Sequence, residues 1–141
     1  MDKQAIYPEG HWRTPWPSVA SQGWRIGELV FVGGQISMDE NGQVVGVGDF
    51  DTQLRNVMEN IRSVLAEAGA EMNDVVKVNA FVVHKGGDET LWEFWEHQGK
   101  LRASYFESPG PIMTGIPVPR LGHPDLLVEI EALAVIRSQN E

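Results

Sequence analysis

The chain has 141 residues, 42% of them hydrophobic, so its length suits one domain with a sizeable core. Eleven lysines and arginines stand against 20 aspartates and glutamates, and the resulting net charge of −9 disfavours contact with phosphate backbones, so we expect no nucleic-acid partner. The absence of cysteine excludes disulfides and cysteine-based metal sites. No stretch approaches the roughly 20 apolar residues of a membrane span, and no leader-like apolar run opens the chain, so we expect a cytoplasmic protein with no membrane partner.

The N-terminal region differs in composition from the rest. Residues 1–20 are rich in proline and tryptophan and are expected to form an irregular arm. A single domain is expected over residues 21–136, followed by a short C-terminal tail, residues 137–141. No repeat, linker or low-complexity tract interrupts this arrangement.

The first strongly patterned segment is the apolar run at residues 29–36, which predicts a β-strand. Asn41-Gly42 follows it, and because both central residues of a type I′ turn take positive φ, this pair predicts a hairpin. The partner strand is expected at residues 43–47. Before the run, residues 21–28 lead into the strand.

The clearest helix is expected over residues 51–68, where apolar residues recur at spacings of three and four. Asp51 is expected to cap its start and Gly69 to end it. Residues 75–83 have β-branched side chains at both parities and predict a largely buried strand.

The last third of the chain predicts one more helix and two strands. Aromatic and leucine residues indicate a helix over about residues 91–106, which must stop before Pro109. Residues 112–121 are extended but include two prolines, which cannot donate ladder hydrogen bonds, so an edge strand is expected there. Residues 126–136 predict a strong final strand.

These elements predict a two-layer α+β domain with two helices on one face of a mixed sheet. The main strands have apolar residues at both parities, so the sheet face without helices also has to be covered. We therefore expect this face to pack against another subunit.

Several segments match one known family in their order and spacing. They are the strand Leu29–Ile36 with Gly33-Gly34-Gln35-Ile36 at its end, the helix residues Gln53, Asn56, Asn60 and Leu65, the segment Asp74–Lys77, the pair Pro111 and Arg120 around an extended segment, and the strand Val128–Val135. This set, over about residues 20–136, resembles the YjgF/Rid family.

The resemblance implies a chorismate-mutase-like fold, a homotrimer with small-molecule clefts between neighbouring subunits, no cofactor, and hydrolysis of reactive enamines and imines. In the family's deaminase branch an arginine binds the substrate carboxylate, and a glutamate on the last strand positions the water that attacks the C=N carbon. By position, the glutamate is Glu129, and the backbone N–H donors are those of Gly33 and Gly34.

Three positions depart from the deaminase pattern. Met113 stands at the arginine position, Gly115 at that of a cysteine, and about Ala20 at that of a tyrosine. Methionine lacks the charge-assisted hydrogen bonds of an arginine, worth about 1.5–3 kcal/mol each. Arg120 is an odd number of residues from Met113, which on a regular strand puts it on the opposite face, although the prolines leave it a candidate for substrate binding. The substitutions predict a roomier, more apolar cleft or, alternatively, one filled by Met113 or a tryptophan.

Alternative interpretations accompany the other candidates. Glu129 and Glu131 share a strand face with apolar neighbours, where desolvation raises a carboxyl pKa, but such residues also form ion pairs at subunit interfaces. Gly33-Gly34 lacks the G-x-G-x-x-G pattern and indicates a tight strand end more than a phosphate loop. The four histidines have no metal-ligand spacing, so no metal site is predicted.

Two function classes therefore remain. One is a hydrolytic deaminase of a small enamine or imine with an altered substrate, and the other is a trimeric small-molecule-binding protein that has lost the reaction. Glu129 favours the first class and Met113 favours the second.

Overall fold

Two helices pack against one face of a six-stranded mixed sheet in a computed structural model that describes residues 2–87 and 90–137. The strand order is β1-β2-β3-β6-β4-β5, and each neighbouring pair is antiparallel except β4 with β5. The strands are β1 Lys3–Ile6, β2 Gly23–Ile26, β3 Leu29–Ile36, β4 Val75–Val82, β5 Ile112–Pro117 and β6 Val128–Val135. The helices are α1 Phe50–Glu67 and α2 Leu91–Ala103. The predicted α+β class is confirmed.

Helix α1 supplies much of the core through its apolar stripe. The buried residues of the stripe are Leu54, Val57, Met58, Ile61, Val64 and Leu65. The cap differs from the prediction, since the N–H of Thr52 donates to the Asp49 carboxylate at 3.1 Å and Asp51 lies inside the first turn. Gly69 follows the helix with φ +83, the left-handed conformation that favours glycine.

The N-terminal arm contains a strand, whereas we had predicted an irregular arm over residues 1–20. Residues Lys3–Ile6 form β1 and pair with β2 at one edge of the sheet. Ile6 is fully buried, so a single apolar side chain anchors a strand whose other residues are exposed. The arm between β1 and β2 contains no strand or helix. The predicted C-terminal tail lies outside the described residues except for Arg137.

The predicted hairpin forms only in part. A turn is present, with the Asp39 carboxylate accepting from the N–H groups of Asn41 and Gln43 at 2.9 Å each. It is not the predicted type I′ turn, because Gly42 takes positive φ and Asn41 does not. Pairing is limited to one isolated bridge between Met38 and Val44, so the predicted strand at residues 43–47 is wrong. Gly46 and Gly48 take positive φ and turn the chain towards α1 before a ladder can develop.

The remaining predicted elements are present with shifted ends. Strand β5 lies at the sheet edge, as its prolines indicated, and it ends at Pro117. Helix α2 is shorter than predicted and ends at Ala103. Neither helix of the described chain is long and apolar enough to cross a membrane.

The sheet face opposite the helices is open in the single chain. Large apolar side chains on it are more than a third exposed, including Trp24, Leu29, Phe31 and Val135. On β6 they alternate with residues that face the helices, such as Ala132 and Ala134. The sheet is thus apolar on both faces, and only the face that packs against the helices is covered within the chain.

Candidate active site

Glu129 lies on the open face of the sheet, half-buried near the start of β6. Its neighbours in sequence, Val128 and Ile130, are fully buried towards the helices, so the glutamate points the other way. Its register partners are Ile36 on β3 and Phe81 on β4. This places an acidic side chain among apolar neighbours.

Gly34 allows the Glu129 carboxylate to lie directly against the backbone of β3. A Cβ at position 34 would lie 2.9 Å from Glu129 Oε2 and 3.0 Å from its carboxyl carbon, closer than real contacts allow. A larger residue at position 34 would require the Glu129 side chain to move away from this backbone. The structure thus brings together two of the predicted site residues, Gly34 and Glu129.

The environment changes the acidity of Glu129. Burial, and secondarily the charge of Glu131, raise the pKa of its carboxyl group above the ordinary value. Glu131 is more exposed and accepts a hydrogen bond from Asn79 Nδ2 at 3.0 Å. The ion pairs found within residues 2–87 and 90–137 do not include Glu129, so a stabilising cation would have to come from another subunit.

The Gly33-Gly34 pair coincides with a register shift between β3 and β6. The N–H of Gly33 donates to the Gln22 carbonyl at 2.8 Å. This donor, which we had predicted for substrate binding, is therefore occupied within the chain. The shift bends β3 beside the N-terminal arm.

The buried amide of Gln35 ties the N-terminal arm to the sheet. Its Oε1 accepts hydrogen bonds from Trp12 Nε1 at 2.9 Å and from the His11 ring at 2.7 Å. Its Nε2 donates to Gln22 Oε1 at 2.9 Å and to the Gly33 carbonyl at 3.0 Å. Because an amide oxygen only accepts, His11 Nε2 must carry a proton. Burial lowers the pKa of His11, an effect that the Gln35 hydrogen bond partly opposes, which favours the neutral ring.

Two hollows lie on either side of Ser21 and Gly33. The first, which we call the arm hollow, has a volume of about 710 Å³ and is lined by the arm and by Gly33-Gly34. The second, of about 370 Å³, lies on the open sheet face and includes Glu131 in its wall. Ala20, the position of the family's tyrosine, is exposed and lines the arm hollow.

Met113 and Gly115 lie on the other face of the sheet. Met113 is in register with the buried Val78 and packs against the core on the helix side. A Cβ added at Gly115 would overlap the Cζ2 and Cη2 atoms of the Trp95 indole. The expected roomier cleft is therefore not present here, because a tryptophan from α2 fills the space.

Arg120 is exposed in the loop after β5. The prediction of its direction assumed a strand that continues to this residue, whereas β5 ends at Pro117 and leaves the parity argument without a basis. Among the described residues, Arg120 forms no ion pair. The described residues also contain no group of three or more His, Asp or Glu side chains arranged for a metal ion.

Comparison with known proteins agrees with this geometry. A family model described as Endoribonuclease L-PSP matches residues 17–136. The chain belongs to the YjgF/Rid family. A RutC family protein of Pyrococcus abyssi is 37% identical over 136 residues, which cover 95% of this chain and 98% of the relative. The 3-aminoacrylate deaminase RutC of Acinetobacter baylyi is 33% identical over 136 residues, with the same coverage of 95% and 98%.

Solved structures of Rid-family proteins share the fold. A Rid-family protein of unknown function from Yersinia pestis, YyfA, superposes with a TM-score of 0.79 at 26% identity, covering 96% of this chain and all of that one. The YjgF-like architecture expected from the sequence is thereby confirmed.

Sequence reasoning missed the contribution of the arm to this Rid-family site. Arg13 lines the arm hollow, and Trp12 both packs against a small apolar core cluster and donates its indole N–H to Gln35. The sequence carried a weak signal, since a segment with two tryptophans and a lone arginine is unusual for a solvated terminus. What it lacked was any indication that the arm folds back over Gly33-Gly34.

Proposed function

We propose that this Rid-family protein is a cytoplasmic hydrolase that converts a small enamine or imine to a carbonyl compound and ammonia, without a cofactor. The observation that carries the proposal is Glu129, a half-buried carboxylate of raised pKa held against the backbone at Gly34. A general base is most effective when its pKa lies near the working pH, and burial moves Glu129 in that direction. The 33% identity to a 3-aminoacrylate deaminase supports the same chemistry.

The reaction needs one residue that can take up and return a proton. After tautomerisation of an enamine to the imine, Glu129 removes a proton from water while the water oxygen bonds to the C=N carbon. Protonated Glu129 returns this proton to the nitrogen, which gives a carbinolamine. The Glu129 carboxylate then removes the hydroxyl proton of the carbinolamine and transfers it to the nitrogen, which leaves as ammonia. The C–N bond breaks, a C=O bond forms, and the carboxylate is regenerated, so the net change is addition of one water and loss of one ammonia.

We further propose a homotrimer with the site between subunits. The open sheet face exposes Trp24 and Phe31, a patch that a second copy would cover. Glu129 and Met113 lie on opposite faces of one chain, so a cleft that used both positions would need a neighbouring subunit. Both arguments agree with what the family resemblance implies.

The alternative is a trimeric small-molecule-binding protein without deaminase activity. The specific observation in its favour is the apolar packing of Met113 beside the core, where the deaminase branch has its arginine. Such a protein would keep the hollows and lose the transition-state contacts.

The test is an imine-hydrolysis assay with the purified protein. A dehydratase supplies 2-aminoacrylate-type imines and an amino-acid oxidase supplies larger 2-imino acids, while the release of ammonia or keto acid is followed. We expect weak acceleration for the three-carbon imines, because Met113 cannot bind their carboxylate, and stronger acceleration for larger ones. Ligand-induced thermal stabilisation with no acceleration for any imine would favour the binding-protein alternative.

A further inference from the structure

The arm hollow has an unusual charge for this protein. The chain has a net charge of −9, yet the walls of the hollow include one basic residue, Arg13, and no acidic one. Arg13 is exposed and forms no ion pair with the other described residues. An uncompensated cation in a concave wall that also contains Tyr7, Trp12 and Trp16 is suited to a small anionic group.

The backbone and the side chain of Arg13 are both held in place. Its N–H donates to the Asp39 carbonyl at 3.3 Å, and Trp12 next to it is anchored to Gln35. The guanidinium lies over the ring of Tyr7, 5.2 Å from its centre, and the Tyr7 hydroxyl donates to the Trp12 carbonyl at 3.1 Å. A cation held in this way loses little conformational freedom when a ligand binds.

The position of Gly34 relates the arm hollow to the reacting groups. Gly34 lines the hollow and is also the residue against which the Glu129 carboxylate lies. Glu129 itself does not line the hollow, so a molecule in contact with both Glu129 and Arg13 has to extend past Gly33-Gly34. Its anionic group is then separated from the C=N carbon by several bonds.

We propose that Arg13 is a specificity-determining residue that binds a carboxylate located at the far end of the substrate from the C=N group. This inference rests on the proposed function and names the class of substrate, an imine derived from a dicarboxylic amino acid or a compound of similar length. The planar guanidinium matches a carboxylate through two parallel hydrogen bonds, a geometry that lysine cannot reproduce.

The kinetic test compares two imines of equal length, generated by an amino-acid oxidase from 2-aminoadipate and from norleucine. Only the first has a distal carboxylate. Arg13→Ala should lower kcat/KM for the 2-aminoadipate imine by about 10- to 100-fold, because it removes charge-assisted hydrogen bonds, and should leave the norleucine imine unchanged. For the 2-aminoadipate imine, the kcat/KM of Arg13→Lys should lie between the values of the wild type and of Arg13→Ala. Arg55→Ala, an exposed arginine on α1, is the matched control and should behave as the wild type.

A binding experiment separates failure of this inference from failure of the proposed function. Calorimetric titration with adipate needs no turnover, and we expect Arg13→Ala to weaken adipate binding by at least about tenfold while Arg55→Ala does not. If no imine is hydrolysed but this difference is found, the deaminase proposal fails and the Arg13 site stands. Equal kinetic losses for both imines, equal adipate affinities for the wild type and Arg13→Ala, or no adipate binding by the wild type would overturn the Arg13 proposal.

Discussion

Replacing Glu129 by glutamine removes the carboxylate from the candidate site while keeping the size of the side chain. Burial and the charge of Glu131 raise the pKa of Glu129, so the folded protein binds this proton more tightly than the unfolded chain does. The ionised carboxylate therefore costs stability once the pH rises above the ordinary value of 4.5, and the cost becomes constant above the folded pKa. Each pKa unit corresponds to about 1.4 kcal/mol. Glu129→Gln should be at least as stable as the wild type at pH 7 and lose any advantage below pH 4.5.

Activity should change in the opposite direction. An amide cannot accept the proton of the attacking water, and loss of a general base typically costs about 10²- to 10⁴-fold in rate. Turnover of a responsive imine and the thermal unfolding temperature should be measured on the same preparations at several pH values. Glu131→Gln serves as the companion variant, because it removes the charge that helps to raise the pKa of Glu129. We expect it to remain active with the acidic limb of its pH profile moved to lower pH.

Two outcomes would refute this reasoning. Unchanged turnover and unchanged stability would show that Glu129 neither transfers a proton nor forms a structural pair. A loss of stability of about 3–5 kcal/mol, together with loss of the assembly, would show that Glu129 pairs with a cation of another subunit, which the substitution leaves buried and unpaired.

Further predictions concern the assembly, the tryptophan-filled cavity and the arm. Light scattering should report about three chain masses, and Phe31→Glu on the open face should shift the protein to monomer; a wild-type monomer at micromolar concentration would exclude the proposed trimer. Gly115→Ala should destabilise the protein by about 1–3 kcal/mol, because the new Cβ overlaps Trp95. Gly99→Ala in α2 should stabilise it by about 0.5–1 kcal/mol, because no atom lies within 4 Å of the new Cβ. Equal effects of the two substitutions in chemical denaturation would contradict the packing argument. Because the folded pKa of His11 is lowered, stability should fall as the pH drops below 6.5, and His11→Gln should flatten that dependence; an unchanged slope would contradict it.

Local patterns in the sequence were sufficient for the main elements. Helix α1 and strands β4 and β6 were predicted to within about two residues, because the side-chain period reflects which face of each element is buried. The ordered family motifs pointed to the fold, and the same motifs singled out Glu129. The short strand β1 was not predicted, because it depends on its pairing with β2 and has only Ile6 as a buried apolar residue.

The tertiary structure alone decided which of the candidates meet. Contact between Gly34 and Glu129 depends on the register of β3 against β6, and the Trp95 indole over Gly115 depends on how α2 packs on the sheet. Nothing in the spacing of the arm indicates that Gln35 binds it or that Arg13 lines a hollow. These contacts join residues that are distant in sequence, so the local periodicities that predict helices and strands carry no information about them, and only the packing of the folded chain determines them.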